Sequence, residues 1–163
     1  MEDFLDVRST PKLSSAVLVT AVFVHVIGFS SIHWSDGGVF YTGLWRACFL
    51  TVPGFHCRQD PYSAGWFGAT QALETIGLVA GFIGLILIVL YIFINKLAGN
   101  RTLFITSLVA VGIAAGSTLL GVVIYGVHGS ALSWSFALAV IGGLLYLVTM
   151  ALMLVHVSKP NAI

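Results

Sequence analysis

Four long apolar stretches alternate with polar segments along the chain. They cover residues 13–33, 66–95, 102–127 and 132–157. Each is long enough to cross a bilayer as a helix, which takes about 20 mostly apolar residues. The second stretch exceeds this length, so we expect its outer end to extend beyond the membrane. The connections at 96–101 and 128–131 are short, which favours antiparallel neighbours in an up-and-down bundle.

The composition also indicates an integral membrane protein. Hydrophobic residues make up 58% of the chain and charged residues 8%, whereas a soluble domain carries about 25% charged residues. The net charge of +1 gives no reason to expect a nucleic-acid partner or a polybasic membrane patch. The first apolar run is too long for a secretory signal and indicates an uncleaved anchor. We therefore expect one domain, residues 1–163, whose first partner is the lipid bilayer.

Basic residues divide unevenly between the two sides of such a bundle. One side receives Arg8, Lys12, Lys96, Arg101 and Lys159, and the other receives Arg46 and Arg58. Because Lys and Arg favour the cytoplasmic side, both termini should be cytoplasmic and the loop 34–65 outside. The sequon at Asn100 then faces the cytoplasm, and we predict that it is not glycosylated.

The outer loop predicts a small antiparallel sheet. Gly37-Gly38 is a turn signal, followed by a strand over 39–42. A second strand is predicted over 46–52, with a turn at Pro53-Gly54 that returns Cys57 to the side of Cys48. If this loop lies outside the cell, the two cysteines are expected to be oxidised. A sheet of two or three strands is marginal alone and needs support from the disulfide and the bundle.

Glycines recur within the apolar stretches at spacings that allow close helix packing. The two clearest pairs are Gly77 with Gly81 and Gly112 with Gly116. They are predicted to pack helices within the bundle or between subunits, and we favour the first because a four-helix chain needs such contacts.

Two ionisable residues fall inside the apolar stretches. Glu74 is either part of a cation pathway or a carboxylate hydrogen-bonded to Gln71 or to a neighbouring helix. His25 is either a proton-sensing group or a histidine satisfied by one hydrogen bond. His33 and His56 show no metal-ligand spacing, and no catalytic motif is present. We expect neither an enzyme nor a cofactor.

The outer loop resembles a known family of membrane proteins. Trp34, the Gly43-Leu44-Trp45 turn, Cys48 and Cys57 are similar to the W…GLW…C…C signature of the claudin superfamily. That superfamily includes claudins, peripheral myelin and epithelial membrane proteins, and calcium-channel gamma subunits. The resemblance implies a left-handed four-helix transmembrane bundle topped by a sheet with a Cys48–Cys57 disulfide. Trp34, Gly43, Leu44 and Trp45 would pack that sheet onto the bundle.

The chain departs from claudins in three places. Its connection at 128–131 is shorter than their second outer loop, its segment 70–74 lacks their arginine, and its tail 158–163 lacks their PDZ-binding ending. Its length and its short tail look more like the peripheral myelin or epithelial membrane protein branch.

The resemblance implies cell–cell adhesion, or barrier and junction formation, at the plasma membrane through the outer loop. The candidate loop contacts are Phe49, Leu50, Val52, Phe55, Arg46 and Arg58. The four apolar side chains are either exposed contacts or the buried underside of the sheet. The two arginines either set the charge selectivity of a pore or belong to a solvated surface. The partner would be a second copy of the chain or another membrane protein. Two alternatives stay open: an auxiliary subunit that modulates an ion channel or receptor, and a pore-forming channel. The second is disfavoured because the apolar stretches hold few ionisable residues.

Overall fold

The computed structural model describes residues 10–52, 54–59, 64–94 and 99–158, without the side chain of Phe55. Its four helices are α1 (Thr10–Ser30), α2 (Gly65–Phe93), α3 (Arg101–His128) and α4 (Trp134–Ser158). All four are long and apolar enough to cross a membrane. The largest difference from the predicted stretches is in α1, which begins and ends three residues earlier than 13–33. Pro11 explains the early start, since proline is well suited to the first turn of a helix.

The helices form a ring in which each contacts two neighbours. The most extensive packing is α2 against α3 and α1 against α4, and the ring is completed by α3 against α4 and α1 against α2. Leu18, Ile88, Val111 and Tyr146 are among the side chains fully buried at its centre. Large apolar side chains also cover the outside of the helices, as is typical of helices surrounded by lipid. The handedness of the bundle stays a prediction.

A four-stranded antiparallel sheet lies between α1 and α2 in the chain. Its strands are β1 (Ser35–Asp36), β2 (Phe40–Thr42), β3 (Arg46–Thr51) and β4 (Gly54–Gln59), in the order β1-β2-β3-β4. Cys48 pairs directly with Cys57 across β3 and β4, and the two form a disulfide. The two predicted strands, the return of Cys57 to the side of Cys48 and the disulfide are therefore confirmed. Of the predicted turn Pro53-Gly54, Pro53 lies outside the described residues and Gly54 is the first residue of β4, paired with Thr51.

The expected number of strands, two or three, omitted β1. This strand is held by the connection between α3 and α4, since the Asp36 amide donates to Ala131 O (2.9 Å) and the Ser133 amide donates to Trp34 O (2.9 Å). Ala131 has a φ of 52°, a left-handed conformation that turns the connection back toward α4. Hydropathy could not predict β1, because it has only two residues and, besides its pairing with β2, depends on contacts with a segment that is distant in the sequence.

Several glycines permit close approach between elements. A Cβ added at Gly28 of α1 would lie 3.0 Å from both Ala139 N and Ser135 O of α4. At Gly43 it would lie 2.7 Å from Ile32 Cα, so only glycine fits where the sheet crosses the end of α1. The backbone therefore leaves no room for a side chain at either position.

The predicted glycine pairs differ from one another in their surroundings. Gly77 faces Thr118 of α3, and a Cβ at Gly81 would lie 2.5 Å from the Tyr146 hydroxyl of α4. Both therefore pack within the bundle. A Cβ added at Gly112 would only reach van der Waals contact with the Met150 sulfur, and one added at Gly116 would have nothing within 4 Å. The second pair thus does not bring two helices of this chain close together.

Candidate functional site

Trp34 joins the sheet to the bundle. Its side chain is fully buried, and its indole Nε1–H donates to Gly28 O of α1 (2.7 Å). The ring meets Tyr125 of α3 edge to face at 4.9 Å and Phe136 of α4 at 5.9 Å. Aromatic pairs at these distances add to the stabilisation that comes from burial alone. One side chain thus connects β1 with three helices.

The Gly43-Leu44-Trp45 turn provides the second attachment. Leu44 is fully buried in the same apolar cluster as Trp34, Phe67 and Tyr125. Its carbonyl accepts a hydrogen bond from Gln71 Nε2 of α2 (2.5 Å). Gln71 and Tyr125 were not predicted to anchor the sheet. Of the two, only Gln71 could have been recognised from the sequence, because it is a polar residue within an apolar stretch.

Trp45 differs from the other motif residues because 41% of it is exposed. Its ring packs edge to face against Phe29 at the end of α1 (5.1 Å). The residues predicted to pack the sheet onto the bundle therefore lie where the sheet and helices meet, and Trp45 forms the outer margin of that junction.

The hairpin of β3 and β4 presents apolar side chains outward. Phe49 is 43% exposed, Leu50 is 53% exposed and Val52 is fully exposed. These side chains thus do not form a buried underside of the sheet. The Phe55 side chain, which was predicted to join them, lies outside the described residues. Successive strand residues point to opposite faces of a sheet, so Phe49 and Leu50 lie on different faces. We refer to the two most exposed of these side chains, Leu50 and Val52, as the hairpin patch.

The two edges of the sheet also differ. The β1 edge is covered by the connection between α3 and α4 through a bridge from Ser35 to Leu132. On the other side, β4 has no further strand beside it among the described residues. An open edge carries unpaired backbone donors and acceptors, which can pair with a strand of another chain.

The charged residues of the loop do not pair with one another in the described part of the chain. Arg46 and Arg58 are both exposed. The Asp36 carboxylate accepts a hydrogen bond from the Gly38 amide (2.9 Å), which stabilises the turn between β1 and β2. Asp60 lies outside the described residues. Within the described ranges, no three His, Cys, Asp or Glu side chains come together as metal ligands.

A polar cluster lies inside the bundle, beneath the sheet. His25 Nε2 of α1 is 2.9 Å from Glu74 Oε2 of α2, and His25 Nδ1 is 3.3 Å from the Tyr146 hydroxyl of α4. All three side chains are fully buried. Glu74 therefore bonds to a neighbouring helix, one of the predicted arrangements, whereas Gln71 bonds elsewhere. His25 has two partners, not the single one expected. We call His25, Glu74 and Tyr146 the polar centre.

Glycines make room for the polar centre on three helices. A Cβ at Gly142 would lie 3.2 Å from His25 Cβ, one at Gly121 would lie 2.6 Å from Glu74 Oε1, and one at Gly81 would meet the Tyr146 hydroxyl. Glu74 Oε1 has no hydrogen-bond partner in the described part of the chain. Tyr146 was not predicted, because a tyrosine in an apolar stretch gives no sign of its partner.

The chain was compared with protein-family models and with curated proteins, and neither comparison finds a match.

Proposed function

We propose that this chain is a claudin-like multi-pass membrane protein that mediates adhesion between neighbouring cells, or forms a barrier between them, through its outer sheet. The observation that carries the proposal is the hairpin of β3 and β4, which combines the hairpin patch with a β4 edge that has no strand beside it in the described part of the chain. Neighbouring exposed apolar side chains that form a patch on a folded surface mark a contact site. Backbone pairing along an open edge adds affinity to such a contact.

The attachment of the sheet to the helices supports this role. A contact surface loses less entropy on binding when it is held rigid beforehand. Here the disulfide fixes β3 to β4, while Trp34 and Leu44 fix the sheet to the helices. The hairpin patch therefore belongs to a hairpin whose position relative to the helices is fixed before binding.

The proposed location is the plasma membrane, with both termini in the cytoplasm. The distribution of basic residues between the two sides supports this orientation. An extracellular sheet also agrees with the disulfide, since such bonds persist in oxidising surroundings. Copies would assemble side by side in one membrane and meet copies in the next membrane through their sheets.

The proposal is tested by expressing the chain in non-adherent cells that lack junctions and scoring its enrichment at cell contacts. We expect enrichment for the wild type and its loss in Leu50→Ser/Val52→Ser, because both side chains are exposed and their replacement leaves the core intact. The Leu132→Ser variant is the matched control, since this exposed leucine lies at the covered edge of the sheet.

Surface labelling must show equal amounts of all variants on the cell. Even distribution of the wild type, with no cell clustering, would contradict the adhesion proposal and would favour an auxiliary subunit with a lateral partner. Equal enrichment of wild type and Leu50→Ser/Val52→Ser would show that the hairpin patch is not the contact surface.

A further inference from the structure

A cavity of about 390 Å³ lies where the end of α1 meets the start of β3. It is lined by Phe29, Ser30, Ser31, Ile32, Trp45 and Arg46. Its volume falls within the range of small-molecule sites, about 300–1,000 Å³. If the four helices span the membrane, this junction of helix and sheet lies at the boundary between lipid and water.

The walls of the cavity combine an aromatic surface with a cation. Phe29 and Trp45 pack edge to face at 5.1 Å and form one wall. Arg46 is exposed at the first position of β3 and makes no ion pair with any other described residue. A guanidinium in this setting is available for an anionic ligand, and arginine recognises phosphate groups in two-point geometry.

Ser31, which also lines the cavity, adds a hydroxyl group to its polar lining. Its hydroxyl oxygen accepts hydrogen bonds from the Ser135 hydroxyl (2.8 Å) and from the His33 amide (3.3 Å). With both neighbours donating, the hydroxyl hydrogen of Ser31 is left to donate to a ligand. Arg46 and Ser31 together thus provide the donors that a phosphate oxygen requires.

The last carbonyls of α1 would oppose an anion unless they were partly neutralised, since the carboxyl end of a helix carries partial negative charge. Gly28 O accepts a hydrogen bond from Trp34 Nε1 (2.7 Å), and Ile27 O accepts a longer one from the Ser30 hydroxyl (3.5 Å). These side-chain donors offset part of the negative charge next to the cavity.

An apolar track leads from the cavity along α1. Val19 is 49% exposed and Phe23 is 65% exposed. With about 3.6 residues per turn, Val19, Phe23 and the cavity residue Ser30 share one face of the helix. The cavity and track therefore have the layout of a lipid: a place for a charged headgroup, followed by an apolar path toward the middle of the bundle.

We propose that this cavity binds one phospholipid of the outer leaflet, with its phosphate at Arg46 and Ser31 and an acyl chain along Phe23 and Val19. The proposal rests on the membrane placement proposed above and does not depend on adhesion. A bound lipid at this position would fill the junction between sheet and α1 and hold the sheet close to the membrane surface.

The test uses the full chain purified in detergent and mixed with phosphatidylcholine, and native mass spectrometry counts the lipid retained. The variants are Arg46→Gln and Arg58→Gln, two exposed arginines of the same sheet, of which only the first lines the cavity. We expect one retained lipid in the wild type and in Arg58→Gln. We expect an apparent affinity roughly tenfold lower in Arg46→Gln, as for the loss of a charge-assisted hydrogen bond.

Several outcomes of this test would overturn the proposal. Equal loss of lipid in both arginine variants would indicate general surface electrostatics. Retention of uncharged diacylglycerol at the level of phosphatidylcholine would show that phosphate is not recognised. Displacement of the lipid by inorganic phosphate at equal concentration would show a site for soluble phosphate. The Phe23→Ala variant is expected to weaken binding of long-chain lipid more than that of short-chain lipid, and equal weakening would exclude the track.

Each variant must keep the melting temperature of the wild type, so that lost lipid is not a sign of unfolding. Extraction of cell membranes with alkaline carbonate tests membrane integration separately. Release of the chain by carbonate would contradict the membrane placement itself, whereas an integrated chain that retains no lipid would contradict only this inference.

Discussion

At the scale of single residues, the polar centre raises the question of how much a buried polar pair contributes to stability. Burying ionisable groups away from water is costly, and His25 and Glu74 offset that cost only together. Hydrogen bonds between membrane helices contribute modestly, about 0.6 kcal/mol on average. The cost of leaving one partner alone is larger, about 3–5 kcal/mol for a broken buried pair. The two effects therefore predict different results for single and double replacements.

Replacing either partner alone, in His25→Leu or Glu74→Leu, is expected to lower the melting temperature strongly, because an uncompensated polar group remains in the bundle. The double variant His25→Leu/Glu74→Leu is expected to recover most of that loss, since an apolar pair can fill the same space. It should keep a smaller deficit, because the buried Tyr146 hydroxyl loses its partner His25. Melting in detergent, followed by circular dichroism, measures all four proteins. Additive losses in the double variant would show that the two side chains are not energetically coupled.

The polar centre also shows that the pairing of side chains inside the bundle could not be predicted from the sequence. Glu74 and His25 were both recognised as unusual, yet their pairing joins positions 49 residues apart, and Tyr146 lies 121 residues from His25. Such pairing depends on which side of each helix faces inward. These helices are apolar on nearly every side, so their hydrophobic pattern does not define that side.

At the scale of elements, close contact between α1 and α4 depends on Gly28. The Gly28→Ala variant is expected to lower the melting temperature, because its methyl group would meet backbone atoms of α4 that have no rotamer freedom to move aside. Gly116→Ala is the matched control. It has open space around it and gains up to about 1 kcal/mol of helix propensity. A Gly28→Ala variant as stable as the control would show that α1 and α4 can separate without cost.

The disulfide stabilises a different element, the hairpin of β3 and β4. Cys48→Ser/Cys57→Ser is expected to weaken the hairpin by about 2–3 kcal/mol, the value for closing a short loop. The effect should stay local, because neither cysteine belongs to the two buried apolar clusters of the helices. Hydrogen exchange should therefore rise in β3 and β4 while the helix amides keep their protection. Equal loss of protection in sheet and helices would mean that the bundle needs the disulfide to fold.

The sheet was predicted better than its attachment, for physical reasons. The short connection between Thr51 and Gly54 and the two cysteines specify the register of β3 and β4 through local contacts. By contrast, Gly28 and Gln71 are bonded to the sheet from separate helices. Their roles follow from the three-dimensional arrangement, which no local pattern encodes.

At the scale of the whole molecule, every proposed role of the sheet requires that it lie outside the cell. Two glycines offer matched positions for testing this orientation. Gly38 lies in the turn between β1 and β2, and Gly99 lies just before α3 at the opposite end of the bundle. Both have positive φ values, 77° and 81°, and open space around them. Exposed turns of this kind tolerate insertions.

An epitope inserted at Gly38 should therefore be accessible to antibody on intact cells, whereas one inserted at Gly99 should be accessible only after permeabilisation. The physical reason is that basic segments are retained on the cytoplasmic side, and the basic residue Arg101 is close to Gly99 in the sequence. The disulfide provides an independent check, because a sheet in the reducing cytoplasm would expose free thiols to labelling. The reverse pattern of access would place the hairpin patch inside the cell and remove the basis for adhesion. It would also move the proposed lipid site to the inner leaflet, where Arg46 and Ser31 would face a different set of phospholipids.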